Sequence, residues 1–352
     1  MVLNVSEISE SLYTLPIIIM ALRFIEIYHQ KGKADDIDFL LKDLPILDTW
    51  HFHLAENNES VTKVLLKTVN TETVLDTLQS FFSEDKTLRF VLLPVEATIP
   101  RPSEPDIEEK KEVQKSPQRI SVEELYQKLF AVSSINQKYI VMVVIASFVA
   151  AIGLLKNDAA VIIGSMVIAP LLSPNMALSL ATTLADFRLA KNSIVTNIIG
   201  LVLGLLIGIF LGVVMNVDPN IPQIASRSDV SYFYLFLALA AGVAGAYSIT
   251  TGVAEALVGV MVAVALLPPL VAAGLLFGGG FWINGAEAFL LCLVNVVCIN
   301  LSGVVTFLLQ GIQPNEWWKA EQAKRAVKAA VSVWIALLCI LAVFIFFAQK
   351  IK

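Results

Sequence analysis

Two proline-containing motifs in the apolar part of the chain are the residues best suited to carry chemistry. The first contains Pro170, Ser173, Pro174 and Asn175, and the second contains Pro268 and Pro269. Proline lacks an amide proton and clashes with the carbonyl four residues back, so each motif is predicted to interrupt a helix. Ser173 suits an N-cap and Pro174 the first helical position, so a half-helix can restart there. Such ends offer amides that attract anions and carbonyls that can bind a cation. The alternative is that both breaks only shape helix packing.

Three further polar residues lie in apolar surroundings. Asn197 and Asn300 each precede a glycine by three residues. They either line a solute path or pair with carbonyls freed by the broken helices. The second, structural role is at least as favoured as the first. Glu255 is the only acidic residue between Ser248 and Gly280. A carboxylate within a membrane suggests function, but 13 residues separate it from the break, which also fits solvation at a membrane face.

No enzyme or metal signature accompanies these residues. The chain contains no H-E-x-x-H, no G-x-S-x-G and no phosphate-binding loop. His51 and His53 share one face of a predicted strand without a visible third ligand, and we interpret them as surface residues. The three cysteines lie in apolar runs without metal-ligand spacing. We therefore expect no enzyme activity, no cofactor and no metal.

Charge divides the chain into two parts. Of its 352 residues, 57% are hydrophobic and 16% are charged, with a mean hydropathy of +0.74. Residues 1–134 hold 14 of the 25 Lys and Arg and 22 of the 30 Asp and Glu. The remaining 218 residues are therefore strongly apolar, which predicts an acidic soluble domain followed by a membrane domain. Without a basic patch, a nucleic-acid partner is not expected.

The soluble part is predicted to be a small α+β domain. Residues 20–96 alternate strand and helix patterns in the order β-α-β-β-α-β, which is typical of a ferredoxin-like sandwich. Residues 1–19 precede it as an extension, and residues 97–119 form a charged, proline-rich linker. Residues 120–136 form an amphipathic helix, with Val122, Leu125, Leu129, Val132 and Ile135 on one stripe. That stripe faces the membrane interface or a neighbouring subunit.

The membrane domain, residues 137–350, contains about seven segments long enough to cross a bilayer. They fall at roughly 138–155, 159–185, 193–215, 231–249, 252–278, 286–310 and 329–348. An internal repeat relates 138–215 to 231–310. At a shift of 95 residues, 11 of the 36 positions from 146 to 181 are identical. The pattern N-x4-N-x2-G also occurs twice, from Asn192 and from Asn295, but at a shift of 103 residues.

The direction of the repeat depends on whether the broken segments cross the membrane. If they cross, the second copy is inverted; if they re-enter on the same side, the copies are parallel. We favour crossing, because it places Arg188 and Lys191 on the cytoplasmic side together with the amino-terminal domain. Lys156 fits this arrangement poorly.

Parts of the chain resemble a known family. The stretch Ala159–Leu180, with its core IGSMVIAPLLSP, is similar to a motif of prokaryotic membrane proteins grouped as domain of unknown function 389. The N-x4-N-x2-G helix and the LLPP break are also similar, and the amino-terminal domain resembles that of some members. The resemblance implies an inner-membrane protein and supplies no substrate.

We expect a transporter or channel for a small solute, with an anion as one candidate, and with its site between the two breaks. The candidate binding residues are Ser173, Pro174, Asn175, Asn197, Glu255, Pro268, Pro269 and Asn300. The expected partners are the lipid bilayer, a small solute or ion, and further copies of the chain. The alternative is a membrane-anchored sensor whose cytoplasmic domain binds an effector.

Overall fold

The computed structural model describes residues 22–30, 32–53, 59–82, 87–95, 98, 120–228, 232–251, 255–313 and 320–351. For residues 59, 69, 232, 255–264, 320–326 and 344–351 it describes only their place in a helix or strand. The chain divides into two compact units, residues 1–121 and 122–352. Residues 1–19 and most of the predicted linker lie outside the described residues.

The first unit contains a four-stranded antiparallel sheet and two helices. Its elements are β1 (Leu22–Gln30), α1 (Ala34–Leu41), β2 (Asp48–His53), β3 (Glu59–Lys67), α2 (Thr71–Phe81) and β4 (Arg89–Val95). The strands lie in the order β2-β3-β1-β4, with β1 paired to β3 and to β4. Alternate residues of the central strands, such as Ile25, Ile27 and Val64, pack against apolar residues of α1 and α2. Burial of this one face holds the unit together.

The opposite sheet face carries a paired charge. Glu26 is 8% exposed, and its Oε1 lies 2.7 Å from Lys63 Nζ on the neighbouring strand. The Tyr28 hydroxyl also donates to Glu26 Oε2 at 2.9 Å. Both contacts favour the ionised carboxylate, and Lys63 is the main cause of a lowered Glu26 pKa.

The second unit is helical throughout its described part. Its helices are α3 (Val122–Ser133), α4 (Gln137–Leu155), α5 (Ala159–Ile168), α6 (Leu172–Leu184), α7 (Phe187–Val214), α8 (Pro222–Ser228), α9 (Tyr232–Thr251), α10 (Glu255–Gly278), α11 (Trp282–Leu309) and α12 (Ala320–Ile351). Among the described residues, four helices are long and apolar enough to cross a bilayer, and α5 with α6 makes a bent fifth. The protein is thus a multi-pass membrane protein with a small amino-terminal sheet domain.

The first proline motif does interrupt a helix, but its cap differs from the prediction. Ala169, which precedes Pro170, has extended backbone angles, as a following proline favours. α5 therefore ends there, and α6 begins at Leu172 after a bend of 52°. The N-cap of α6 is Leu171, so the prediction of Ser173 as the cap is wrong. Pro174 is tolerated as the third helical residue because amides of the first turn need no intrahelical acceptor.

The second proline motif does not interrupt a helix, contrary to the prediction. α10 runs continuously from Glu255 to Gly278, with Pro268 and Pro269 inside it. Because Pro269 has no amide proton, the carbonyl of Ala265 lacks its usual helical donor. Asn295 of α11 replaces that donor, since its Nδ2 lies 2.6 Å from Ala265 O. The neighbouring helix thus supplies a hydrogen bond that the sequence of α10 lacks.

The residues at which the helices begin and end repeat along the chain with a single shift of 95 residues. Moving α4 and α7 by 95 residues gives 232–250 and 282–309, which match α9 and α11. Moving residues 159–184 of α5 and α6 gives 254–279, which matches α10. The shift of 103 inferred from N-x4-N-x2-G is therefore eight residues out of register. At 95 residues, Asn197 corresponds to Cys292, and Gly200 corresponds to Asn295.

Helices α4–α7 form the first set and α9–α11 form the second set, and contacts between the two sets are reciprocal at the shift of 95 residues. A Cβ at Gly303 of α11 would meet Ser179 and Met176 of α6. A Cβ at Gly208 of α7 would meet the backbone of Gly274 and Val271 of α10. The two contacts are equivalent under the repeat, because Gly208 corresponds to Gly303 and Gly274 corresponds to Ser179 at a shift of 95 residues. Each middle helix thus packs on the third helix of the other set.

The predicted amphipathic helix packs within its own unit. Val122, Leu125 and Leu129 of α3 are buried, whereas the predicted stripe residues Val132 and Ile135 are exposed. The Tyr126 hydroxyl donates to Asp186 Oδ2 at 2.8 Å, just before α7 begins. The buried part of the stripe therefore faces this chain's own helices rather than a neighbouring subunit.

Candidate functional site

A cavity of about 80 Å³ lies between α8, α9, α10 and α11. We call it the Arg227 cavity, and it is lined by Arg227, Tyr234, Leu237, Ala265, Pro269, Leu291 and Asn295. Since a water molecule takes about 30 Å³ in the liquid, the space suits a few waters or an anion of roughly four or five heavy atoms.

The cavity lies far from the ends of the two long helices that line it. Pro269 stands nine residues before the end of α10, which is about 14 Å at 1.5 Å per residue. Asn295 stands thirteen residues after the start of α11, which is about 20 Å. Both residues thus lie well inside their helices, whereas Tyr234 of the same cavity is the third residue of α9.

Arg227 brings a positive charge to this cavity. It lies on α8, the short helix that precedes the second set of helices, and its side chain is partly buried. Its Nη1 donates to Ser226 Oγ at 2.8 Å. Within the described part of the chain, no carboxylate forms an ion pair with this guanidinium; Asp229 lies outside that part. A guanidinium has five N–H donors in a planar fork that fits an oxyanion.

Asn295 also lines the cavity, although its Oδ1 has less than 1 Å² of accessible surface and does not open into it. The residue is 2% exposed, and its Nδ2 is committed to Ala265 O. This bond fixes the orientation of the amide, because a flipped amide would place oxygen against oxygen. Its Oδ1 has no hydrogen-bond partner among the described residues. Buried acceptors without a donor are uncommon, and each calls for a ligand, a water or another explanation.

The equivalent place in the first set of helices is filled by a side chain. Tyr139, 95 residues before Tyr234, donates its hydroxyl to Thr196 O at 3.1 Å. Gly200 makes room for this hydroxyl, since a Cβ there would collide with it. In the second set, Asn295 stands at the place of Gly200, and the Tyr234 hydroxyl instead donates to Ser226 O at 3.0 Å. The tyrosine therefore leaves the Arg227 cavity open.

A second buried polar group joins α6 to α11. Asn300 Nδ2 donates to Asn175 Oδ1 at 2.8 Å and to Val296 O at 2.8 Å. Ser179 Oγ lies 3.2 Å from Asn300 O, and Asn175 Nδ2 donates to Leu171 O at 2.7 Å. Both asparagine amides are thus hydrogen-bonded within the chain. Asn300 thus pairs with a side chain of α6 and with its own helix, rather than with a carbonyl freed by a proline.

The predicted binding residues fall into separate places. Pro269 lines the Arg227 cavity, and Pro268 is buried beside it in α10. Ser173, Pro174 and Asn175 do not line that cavity, so the cavity is not shared between the two proline motifs. Asn197 is 8% exposed, and its Nδ2 has no partner among the described residues. The side chain of Glu255 lies outside the described residues.

The histidines of the first unit contact hydroxyl groups of the neighbouring strand β3. His29 is 2% exposed, and its Nε2 lies 3.0 Å from Thr62 Oγ1. His51 Nδ1 lies 3.0 Å from the same hydroxyl, and its Nε2 lies 3.2 Å from Asp38 Oδ1. His51 and His53 are both exposed, so the prediction that they are surface residues is confirmed. Among the described residues, no three histidine, cysteine or acidic side chains are grouped as a metal site requires.

Comparison with known proteins identifies the family. Residues 166–301 match the family described as Domain of unknown function (DUF389). An uncharacterized protein of Methanocaldococcus jannaschii is 34% identical over 328 residues, which cover 93% of this chain and 100% of the relative. The chain belongs to the DUF389 family. No solved structure matches it. The matched range of the family runs from α5 to α11, so it contains every residue that lines the Arg227 cavity.

Of the seven residues that line the cavity, only Pro269 was among the predicted site residues, and the charged Arg227 and the buried Asn295 were not. Arg227 lies in the stretch between two apolar segments, where a charge is ordinarily solvated. Tyr234 is the equivalent of Tyr139 at a shift of 95 residues. Arg227 could have been selected from the sequence only by noticing that it shortly precedes this repeated tyrosine. Asn295 was noticed as part of a pattern, but the pattern assigned it to the wrong equivalent residue.

Proposed function

We propose that this protein is a membrane transporter or channel for a small anion, which binds in the Arg227 cavity. The observation that carries the proposal is a partly buried guanidinium that lines a cavity together with side chains of three apolar helices. A charge in such surroundings is costly unless a counter-charge or water accompanies it. An anion that enters the cavity would supply the counter-charge of Arg227 and bind to it through charge-assisted hydrogen bonds.

An inverted repeat supports a transport role. Asn175 contacts Asn300 while Ser179 packs on Gly303, so α6 and α11 run in the same direction. Gly204 packs on Leu270 while Gly208 packs on Gly274, so α7 and α10 also run in the same direction. α6 and α7 form an antiparallel hairpin through a two-residue link. Each helix of one set is then antiparallel to its equivalent, which is the geometry of many secondary transporters.

The bend between α5 and α6 supports a crossing segment. An angle of 52° is far from the reversal that a re-entrant hairpin requires. With α12 included, the chain would cross the membrane seven times. We place the amino-terminal domain in the cytoplasm of a prokaryotic cell and the membrane domain in its inner membrane, on the positive-inside argument from Arg188 and Lys191. The strand order β2-β3-β1-β4 supports a ferredoxin-like amino-terminal domain.

The test compares two arginine variants of the full chain in sealed vesicles. Arg227→Gln removes the charge of the cavity, and Arg188→Gln removes a matched charge that lies over Phe130 instead. Flux of chloride, nitrate, hydrogencarbonate and phosphate is measured for both variants and the wild type. Charge-assisted bonds contribute about 1.5–3 kcal/mol each, so we expect Arg227→Gln to lower flux about tenfold or more.

The control variant should transport at the wild-type rate. Melting temperature and elution volume in detergent establish that both variants are folded. Absence of anion flux in the wild type, or equal flux in Arg227→Gln, would overturn the proposal. In that case a ligand that raises the melting temperature of both variants equally would favour the alternative, a membrane-anchored sensor.

A further inference from the structure

We infer that the anion bound in the Arg227 cavity is a short-chain monocarboxylate, with its charge at one end and a tail of one or two carbons at the other. The inference rests on the proposed function, because it assigns a substrate class to the same cavity. It depends on how the hydrogen-bond donors of the cavity wall are distributed. Among the described residues of that wall, the guanidinium of Arg227 is the one polar group with donors left for a ligand.

The other polar side chains of the wall use their donors within the protein. The Tyr234 hydroxyl donates to Ser226 O at 3.0 Å, and Asn295 Nδ2 donates to Ala265 O at 2.6 Å. Arg227 has five N–H donors, and its Nη1 donates to Ser226 Oγ. Within the described part of the wall, the donors available to a ligand therefore come from α8.

The remaining wall is apolar. Aliphatic carbon is supplied by four residues of α9, α10 and α11, namely Leu237, Ala265, Pro269 and Leu291. Pro269 has no amide proton, so it adds no donor. A ligand in this cavity therefore meets the cation of one helix and the aliphatic carbon of three others.

This distribution favours an anion that is polar at one end only. Phosphate, sulfate and hydrogencarbonate carry oxygen atoms on all sides, and an oxygen turned towards aliphatic carbon would lose its hydrogen bonds to water without replacement. Chloride and nitrate can bind the guanidinium and pass with lower affinity, since they bury no hydrocarbon. A carboxylate accepts two parallel hydrogen bonds from a guanidinium, and its alkyl tail would bury apolar surface against Leu237, Pro269 and Leu291.

The volume limits the length of the tail. A cavity of about 80 Å³ suits roughly four or five heavy atoms. Acetate has four heavy atoms and propionate has five, whereas butyrate has six. A fatty acid of the bilayer has the same two chemical ends, but its tail is too long for this volume. An amino acid would bring an ammonium group close to the positive charge of Arg227, which repels it.

The experiment measures binding of a series of acids that differ only in their tails. Formate, acetate, propionate, butyrate and hexanoate are each added as the sodium salt to the full-length protein in detergent at pH 8 and constant ionic strength. Nitrate is measured alongside as an anion without a tail, and Kd is obtained by titration. Burial of one methylene group contributes about 0.8 kcal/mol, which corresponds to about fourfold in Kd. We expect Kd to fall about fourfold from formate to acetate and again from acetate to propionate, and no further for the longer acids.

Three variants complete the measurement. Leu237→Asn keeps the number of side-chain heavy atoms but makes the wall polar, so it should reduce the gain per methylene group. Leu206→Asn is the matched control, because Leu206 is a similarly exposed leucine of α7 (54% against 48%) outside the cavity, and it should leave the series unchanged. Arg227→Gln should weaken every acid by a similar factor. The wild-type series decides the matter even if Leu237→Asn fails to fold.

The outcomes separate the two proposals. A lowest Kd at propionate that depends on Arg227 would support both. Equal Kd values from formate to propionate, or nitrate binding as tight as propionate, with the same dependence on Arg227, would overturn this inference and leave the anion site intact. A Kd that continues to fall to hexanoate would also overturn it, because a membrane fatty acid would then be the better ligand. If none of these anions binds, or if Arg227→Gln binds them as tightly as the wild type, then the proposed function itself is wrong.

Discussion

The hydrogen bond from Asn295 Nδ2 to Ala265 O should be energetically coupled to Pro269. In the wild type this side chain replaces the amide that Pro269 lacks. Asn295→Leu removes the donor while keeping the number and branching of the side-chain heavy atoms, and it leaves a carbonyl unpaired among apolar helices. An unpaired buried carbonyl costs about 1–3 kcal/mol, although hydrogen bonds within membrane proteins average nearer to 0.6 kcal/mol. We expect Asn295→Leu to lower the free energy of unfolding by about 1.5 kcal/mol.

The same substitution should cost much less in a Pro269→Ala background. The Pro269→Ala substitution would restore an amide four residues after Ala265, so the carbonyl would have a helical donor without Asn295. The predicted coupling between the two sites is therefore about 1 kcal/mol, which exceeds the scatter of about 0.3–0.5 kcal/mol for independent sites. Reversible unfolding of the full-length protein in mixed micelles, titrated with a denaturing detergent, measures each free energy.

Asn300→Leu provides the control for this cycle. The Asn300 amide donates to Asn175 Oδ1 and Val296 O, so its loss should cost the same in both backgrounds. Additive behaviour of Asn295→Leu with Pro269→Ala would refute the argument, because it would mean that the carbonyl of Ala265 does not depend on the asparagine. Equal coupling of Asn300 with Pro269 would also refute it, since the effect would then be general rather than local.

Three further predictions concern packing, pH and topology. Gly208→Ala should lower the melting temperature, because its Cβ would lie 2.8 Å from a backbone oxygen of α10, whereas Gly164→Ala meets no atom within 4 Å and should raise it; the reverse order would exclude close packing at Gly208. Lys63→Met should return the pKa of Glu26 towards 4.5. Because a lowered folded pKa stabilises above the unfolded value, the loss should appear at neutral pH and vanish as pH falls through the pKa of Glu26, as melting curves of the full chain against pH would show. A periplasmic reporter fused within residues 216–221 should be active if the segments cross as proposed, and a reporter active only in the cytoplasm would contradict that topology.

Local chemistry made several features of the protein predictable. The apolar runs, the separation of charge and the alternation of the amino-terminal strands depend on hydropathy within short windows of sequence. The break near Pro170 was also predictable in kind, because a proline forces the preceding residue out of helical angles wherever it occurs. Its cap was predicted two residues late, since Pro174 can occupy any position within the first helical turn.

The continuity of α10 depends on residues far away in the sequence. Pro268 and Pro269 predict a break by the same local reasoning that succeeds at Pro170. The donor that compensates for the missing amide comes from Asn295, 26 residues beyond Pro269. Whether a proline ends a helix in an apolar environment thus depends on which side chain of a neighbouring helix reaches the freed carbonyl.

The internal repeat was found from the sequence, but its register along the whole membrane domain required the structure. The sequence by itself established that two copies exist, because identities near the first motif follow a shift of 95 residues. It could not establish the register of α7 against α11, because apolar residues replace one another freely there. A chance match of two asparagines and a glycine therefore gave the wrong shift of 103 residues. Only the tertiary structure decided it, because the close approach of Gly208 to Gly274 and of Gly303 to Ser179 admits no displacement by two turns. The Arg227 cavity has the same origin, since its arginine, its asparagine and its proline come from three separate helices.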